Sequence, residues 1–148
     1  MNQSPASFPG HEPAAPAPGS VSVRLPSAPP RVTYIILGLT IFVYLLQVLS
    51  KFIFGYDLPI ALGAKSNELI RAGQVWRLIT PVLLHGSLWH IGFNMYALFI
   101  FGTGLERRFG RFRFLVLYLL AGFSGNVLSF LFTSGYSVGS STSIFGLI

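Results

Sequence analysis

Cysteine is absent from all 148 residues. That excludes disulfides, thiolate nucleophiles and cysteine-ligated metals, and it leaves the redox compartment unmarked. Charge is scarce as well. Only 9% of residues are Asp, Glu, Lys or Arg, against about a quarter in soluble domains. No formal charge occurs from Val32 to Ser50, from Leu78 to Leu105, or from Phe114 to Ile148. Runs of this length meet the ~20 residues needed to cross a bilayer core. A soluble fold would have to bury every face of three such helices. The chain therefore reads as an integral membrane protein and, at this length, as one domain.

The net charge of +6 would suggest nucleic acid on a soluble protein. Here four of the ten basic residues fall in ERRFGRFR, Glu106 to Arg113, between two apolar runs. The positive-inside rule accounts for them, and no nucleic-acid partner is expected. Placing that segment and Arg24 and Arg31 in the cytoplasm puts the N-terminus inside.

Residues 1–31 hold eight of the ten prolines, mixed with Ala, Ser and Gly. Proline removes backbone donors, so the region is expected to be a disordered cytoplasmic tail. It lacks the basic start of a signal peptide. Residues 32–148 form the expected transmembrane domain, an all-α polytopic bundle. Three complete helices are expected, at roughly 32–54, 88–105 and 114–132, with the start of a fourth near Ser141. The long connection after the first helix is partly interfacial. Within it Ser66 is placed to cap a short helix that turns Leu69 and Ile70 inward. In the third helix Ala121, Gly125 and Ser129, with Gly122 and Ser124 beside them, form a small-residue surface for close helix packing.

Polar groups inside apolar runs need an explanation. In HGSLWHIGFNM, His85 to Met95, His90 and Asn94 are four apart and share one helix face. Such side chains at membrane depth must face protein or water. Hydrogen-bonded glue between helices is the plain account of one of them. Two, level with a hydroxyl cluster, point to chemistry. No carboxylate or cysteine joins the histidines, so no metal and no cofactor is expected. The hydroxyl cluster is Ser140, Ser141, Thr142 and Ser143 in VGSSTSIFGLI. One of these hydroxyls is expected to cap the fourth helix. A serine there would also sit beside free helix amides, which suit an oxyanion. Gly139 allows a tight turn and leaves room for substrate. Spacing alone leaves open which hydroxyl reacts.

From about Trp76 to Ile148 the chain resembles the rhomboid family of intramembrane serine proteases. The resemblance is carried by Trp76-Arg77, by HGSLWHIGFNM, by Glu106 and Gly110 in GLERRFG, and by GSSTSIFGL. It implies that Ser141 is the nucleophile and that His90 and Asn94, with the serine's own amide, stabilise the oxyanion. Gly139 and His85 support the site, Trp76 and Arg77 anchor the first loop, and Glu106 with nearby arginines knots the cytoplasmic turn. The implied substrates are membrane proteins, cut in or near their transmembrane segments within the lipid bilayer. The expected location is a bacterial cytoplasmic membrane.

Two departures stand out. Thr142 follows the serine where many relatives have glycine. The family's base is a histidine on a sixth helix, whereas this chain has only His11, His85 and His90. The chain is therefore expected to be truncated, inactive as it stands, and completed by a later helix. The alternative is a catalytically inactive rhomboid-like protein that binds transmembrane helices. A channel or transporter fragment fits less well, because the spans carry no acidic residue.

Overall fold

The computed structural model describes residues 29–147. The expected tail, with His11 and Arg24, lies outside the described residues apart from its last positions. There Pro29 and Pro30 lead directly into helix, and Arg31 is the first helical residue.

Helix α1 (Arg31–Phe54) is the first of three helices long and apolar enough to span a membrane. It stops at Gly55, whose left-handed backbone (φ 77°) returns its N–H to Lys51 O. The second span is continuous from Leu88 to Phe109. It is built from α4 (Leu88–Ala97), one π-helical turn (Leu98–Gly102) and α5 (Thr103–Phe109). The third is α6 (Arg111–Phe132). A five-residue helix, α7 (Ser141–Phe145), follows. No strand occurs among the described residues. The chain is an integral, multi-pass, all-α membrane protein. Only 22% of each span's most apolar window is buried, so most of these faces are left to lipid or to further helices.

The second and third spans run past their apolar stretches, to Phe109 and back to Arg111. Hydropathy marks where a helix leaves lipid, whereas hydrogen bonding continues until the backbone turns. Gly110, with φ 83°, is that turn.

Glu106 corrects the expected knot with its neighbouring arginines. It is fully buried, while Arg107, Arg108, Arg111 and Arg113 are exposed. Its carboxylate accepts from Val32 N–H (2.9 Å), Thr33 N–H (2.7 Å) and Thr33 Oγ1 (2.8 Å). Pro30 stands at the N-cap of α1 and offers no side-chain acceptor, so the first amides of that helix are free. A carboxylate satisfies them and complements the positive helix end. The clamp ties α1 to the end of the second span.

Between the first two spans lie α2 (Leu58–Gly63), α3 (Asn67–Arg71) and two 3₁₀ turns, Val75–Leu78 and Thr80–Leu83. Asp57 caps α2 by accepting from Ile60 N–H at 3.0 Å. Ser66 stands at the N-cap of α3 but its side chain makes no capping bond, which corrects the expected cap. Ile70 is buried and Leu69 half-buried.

A core of Ile36, Ile91, Met95, Leu98, Phe114, Tyr118 and Ile144 joins α1, the second span, α6 and α7. Small residues set how closely α7 docks on α6. A methyl at Gly125 would lie 2.6 Å from Thr142 Cβ, and one at Gly122 would strike Ser143 and Val82. Ala121 meets Gly146. Ser129 instead sits 2.9 Å from Thr133 Oγ1.

Candidate active site

The interfacial segment and the stretch before α7 are sewn together. Lys65 and Ser137 exchange backbone bonds of 3.1 and 3.3 Å. Lys65, fully buried, donates its ammonium to Thr133 O (2.8 Å) and Gly135 O (3.0 Å). Gly139 N–H donates to Pro81 O at 2.8 Å. These bonds fix where α7 begins.

Arg77 holds the segment from beneath. It is buried, and its guanidinium donates to Ala64 O and Ala61 O (both 2.7 Å) and to Gln74 Oε1 (2.7 Å). Trp76 is half-exposed and donates its indole N–H to Leu62 O at 3.1 Å.

Gly139 takes φ 120°, a region that disfavours side chains, and it leaves space that the His90 ring fills. A methyl there would sit 2.6 Å from both Cε1 and Nε2 of His90, and 3.7 Å from Ser141 Oγ. His90 lies in the first turn of α4, which Ser87 caps by accepting His90 N–H at 3.2 Å. The structure thus brings Gly139, Ser141 and His90 together. His85 lies edge-on to His90, with ring centroids 5.0 Å apart, and its Nε2 is 3.4 Å from Ser140 Oγ. Asn94 is buried one turn further along α4, and its amide donates to His90 O at 3.0 Å. Glu106 lies at the other end of the second span and takes no part here.

The four hydroxyls have different surroundings. Ser140 occupies the N-cap position but makes no capping bond, because its hydroxyl is turned to His85. The expected hydroxyl cap of α7 is corrected accordingly. Thr142 packs on Gly125, and its Oγ1 is buried without a partner. Ser143 is fully buried against Gly122, also without a partner. Ser141 is half-buried, with its oxygen 3.7 Å from where a Gly139 methyl would sit.

His85 titrates well below the usual imidazole range, at about 4. Burial disfavours its cation first, and the neighbouring His90 adds to the effect. No group of three or more His, Cys, Asp or Glu suited to a metal occurs among the described residues.

Two buried amides went unremarked in the sequence. Gln47, in α1, accepts from His85 N–H and donates to His85 O, both at 3.0 Å. Asn126, in α6, donates to Leu78 O at 3.1 Å. The signal was available: each is a lone amide in an uncharged run, and the cost of a polar group in lipid applies to them as it does to Asn94.

Fold and site together define a multi-pass membrane protein with a serine and two histidines gathered at one end of its helices. The Rhomboid domain family model matches residues 72–148. The rhomboid protease GluP of Bacillus subtilis (strain 168) is 40% identical over 119 residues, 80% of this chain and 24% of that protein. RHOMBOID-like protein 9, chloroplastic, of Arabidopsis thaliana is 45% identical over 92 residues, 62% of this chain and 21% of its own length. Rhomboid-like protease 1 of Toxoplasma gondii is 43% identical over 88 residues, 58% of this chain and 30% of its own length. The chain belongs to the rhomboid family. The matches span between about a fifth and a third of those relatives' lengths.

Proposed function

We propose that the full-length protein is an intramembrane serine endopeptidase with Ser141 as its nucleophile. One observation carries this reading: of four adjacent hydroxyls, Ser141 alone is half-buried with its Oγ near the space over Gly139 that the His90 ring fills, 3.7 Å from where a Gly139 methyl would sit, while the others are buried or packed against α6. In acyl transfer the Ser141 oxygen adds to the carbonyl carbon of a substrate peptide bond and its proton passes to a base. The resulting oxyanion needs fixed donors, and His90 Nε2 and the amide of Ser141 are the proposed ones. Asn94 spends an N–H on the His90 carbonyl, so its proposed part is to hold that turn and to offer its remaining N–H. Collapse expels the amine, which takes the proton, and water then releases the acyl group. His85 and His90 are both committed to the walls of the site. The base is therefore proposed to come from a residue outside this chain, as the resemblance implies.

Substrates are proposed to be membrane proteins cleaved in or near a transmembrane segment. The proposed location is a bacterial cytoplasmic membrane, with residues 1–31 proposed as a tail on the cytoplasmic face. Charge supports that orientation. Arg31, Arg107, Arg108, Arg111 and Arg113 gather at the end closed by Glu106, whereas of the four basic residues toward the opposite end Lys65 and Arg77 are buried in structural bonds and Lys51 and Arg71 are exposed.

The test is cleavage of a single-span membrane protein by the full-length protein in proteoliposomes. Cleavage abolished by Ser141→Ala and retained in Ser143→Ala is the expected result. Cleavage that survives Ser141→Ala contradicts the assignment. A wild-type protein that binds the substrate helix without cutting it supports the inactive, helix-binding alternative.

A further inference from the structure

We infer that Gln47 of α1 is a positioning residue for the serine site, holding the His85 peptide and through it the wall against which Ser140 and His90 are set. The inference rests on the proposal that Ser141 is the nucleophile.

Gln47 is 1% exposed and lies toward the C-terminal end of α1, the one amide side chain of that helix. A buried amide that merely satisfied itself would need any backbone partner. Gln47 instead takes both polar groups of one residue: its Oε1 accepts His85 N–H and its Nε2 donates to His85 O, each at 3.0 Å. The remaining Nε2 hydrogen goes to Asp57 Oδ2 at 2.9 Å. Asp57 is itself fixed by capping α2 and by Lys51 Nζ at 3.2 Å.

His85 needs such a clamp. It lies between the Thr80–Leu83 turn and the start of α4 at Leu88, outside any regular element. No helix or sheet ladder orients its peptide, yet its polar groups are buried and must be paired. Gln47 supplies what an adjacent strand would. The His85 ring held in this way reaches Ser140, the residue before Ser141, and packs against His90, which lies over Gly139. A shift of the His85 backbone therefore moves both flanks of the nucleophile.

The experiment measures labelling of the full-length protein by a fluorophosphonate, read as a rate constant and as a final stoichiometry. Gln47→Met keeps the volume and removes the clamp. It is expected to slow labelling about tenfold or more at wild-type stoichiometry. Thr40→Val removes a partnerless buried hydroxyl seven residues earlier on the same helix and should leave the rate unchanged. Gln47→Asn keeps the neutral amide but draws it back by one methylene, so its bonds to His85 are weakened and not replaced by a buried charge beside Asp57. Its rate should fall between the other two, and it carries the test if Gln47→Met does not fold. An unchanged rate constant overturns the inference. So does a reduced stoichiometry at an unchanged rate, because that is the mark of a residue serving stability alone. Absence of labelling in the wild type, or labelling that persists in Ser141→Ala, defeats the nucleophile assignment itself and is distinguishable from both.

Discussion

The His90 imidazole occupies the space that a side chain at Gly139 would need, 2.6 Å from the position of the missing β-carbon. Glycine is required there twice, for its φ of 120° and for that space. Gly139→Ala should therefore cost about 1–3 kcal/mol in stability through backbone strain. It should also reduce fluorophosphonate labelling, because the ring must move. Thermal unfolding in detergent and labelling rate, measured side by side, check this. Gly135→Ala, in the same loop with open space around it, is the control.

Glu106 closes the start of α1 with three accepted bonds, two from backbone amides and one from Thr33. Hydrogen bonds to a charged group contribute roughly 1.5–3 kcal/mol. Glu106→Ala should therefore destabilise by about 2 kcal/mol or more. Thr33→Val removes one of the bonds and should cost less. In a double-mutant cycle the two changes should be less than additive, since both act on the same carboxylate. Additive losses would show that the clamp is not a unit.

Arg77→Lys should not behave as a conservative change. The guanidinium reaches Ala61, Ala64 and Gln74 at once, in three directions that its planar fork allows and an ammonium on a shorter head does not. The cost should be about 1–3 kcal/mol from stranded carbonyls, read as a lower unfolding midpoint. Arg71, exposed on α3, should tolerate lysine.

His85 gives a signed pH dependence. Its folded pKa of about 4 lies below the ordinary 6.5, so the unfolded chain takes up the proton first as pH falls. Stability from this group is complete above about 6.5 and is lost as pH falls toward 4. The loss should reach roughly 3 kcal/mol at most. Equilibrium unfolding from pH 7 to pH 4 should be steeper in the wild type than in His85→Asn. Equal slopes would mean that His85 is not held neutral by burial.

Much of the architecture was legible because lipid imposes a simple rule: uncharged runs long enough to cross a bilayer must be helices. The three spans and the start of α7 follow from it. What escaped were interactions decided by tertiary geometry. Glu106 sits among arginines in the chain, yet it turns to the start of α1, where Pro30 has left the amides without a side-chain acceptor. Ser66 and Ser140 occupy capping positions without capping. Gln47 and Asn126 carried a readable cost, but their partners, His85 in a loop and Leu78 at the end of a short 3₁₀ turn, lie where the sequence has no periodicity to read. The hydroxyls Ser140 to Ser143 were equivalent by composition and are separated only by which of them α6 and His85 occupy.

The most direct measurement is the site of covalent attachment of a fluorophosphonate to the full-length protein, mapped by peptide mass spectrometry. The adduct should lie on Ser141 and disappear in Ser141→Ala. An adduct on Ser140, Thr142 or Ser143 in the wild type would contradict the account.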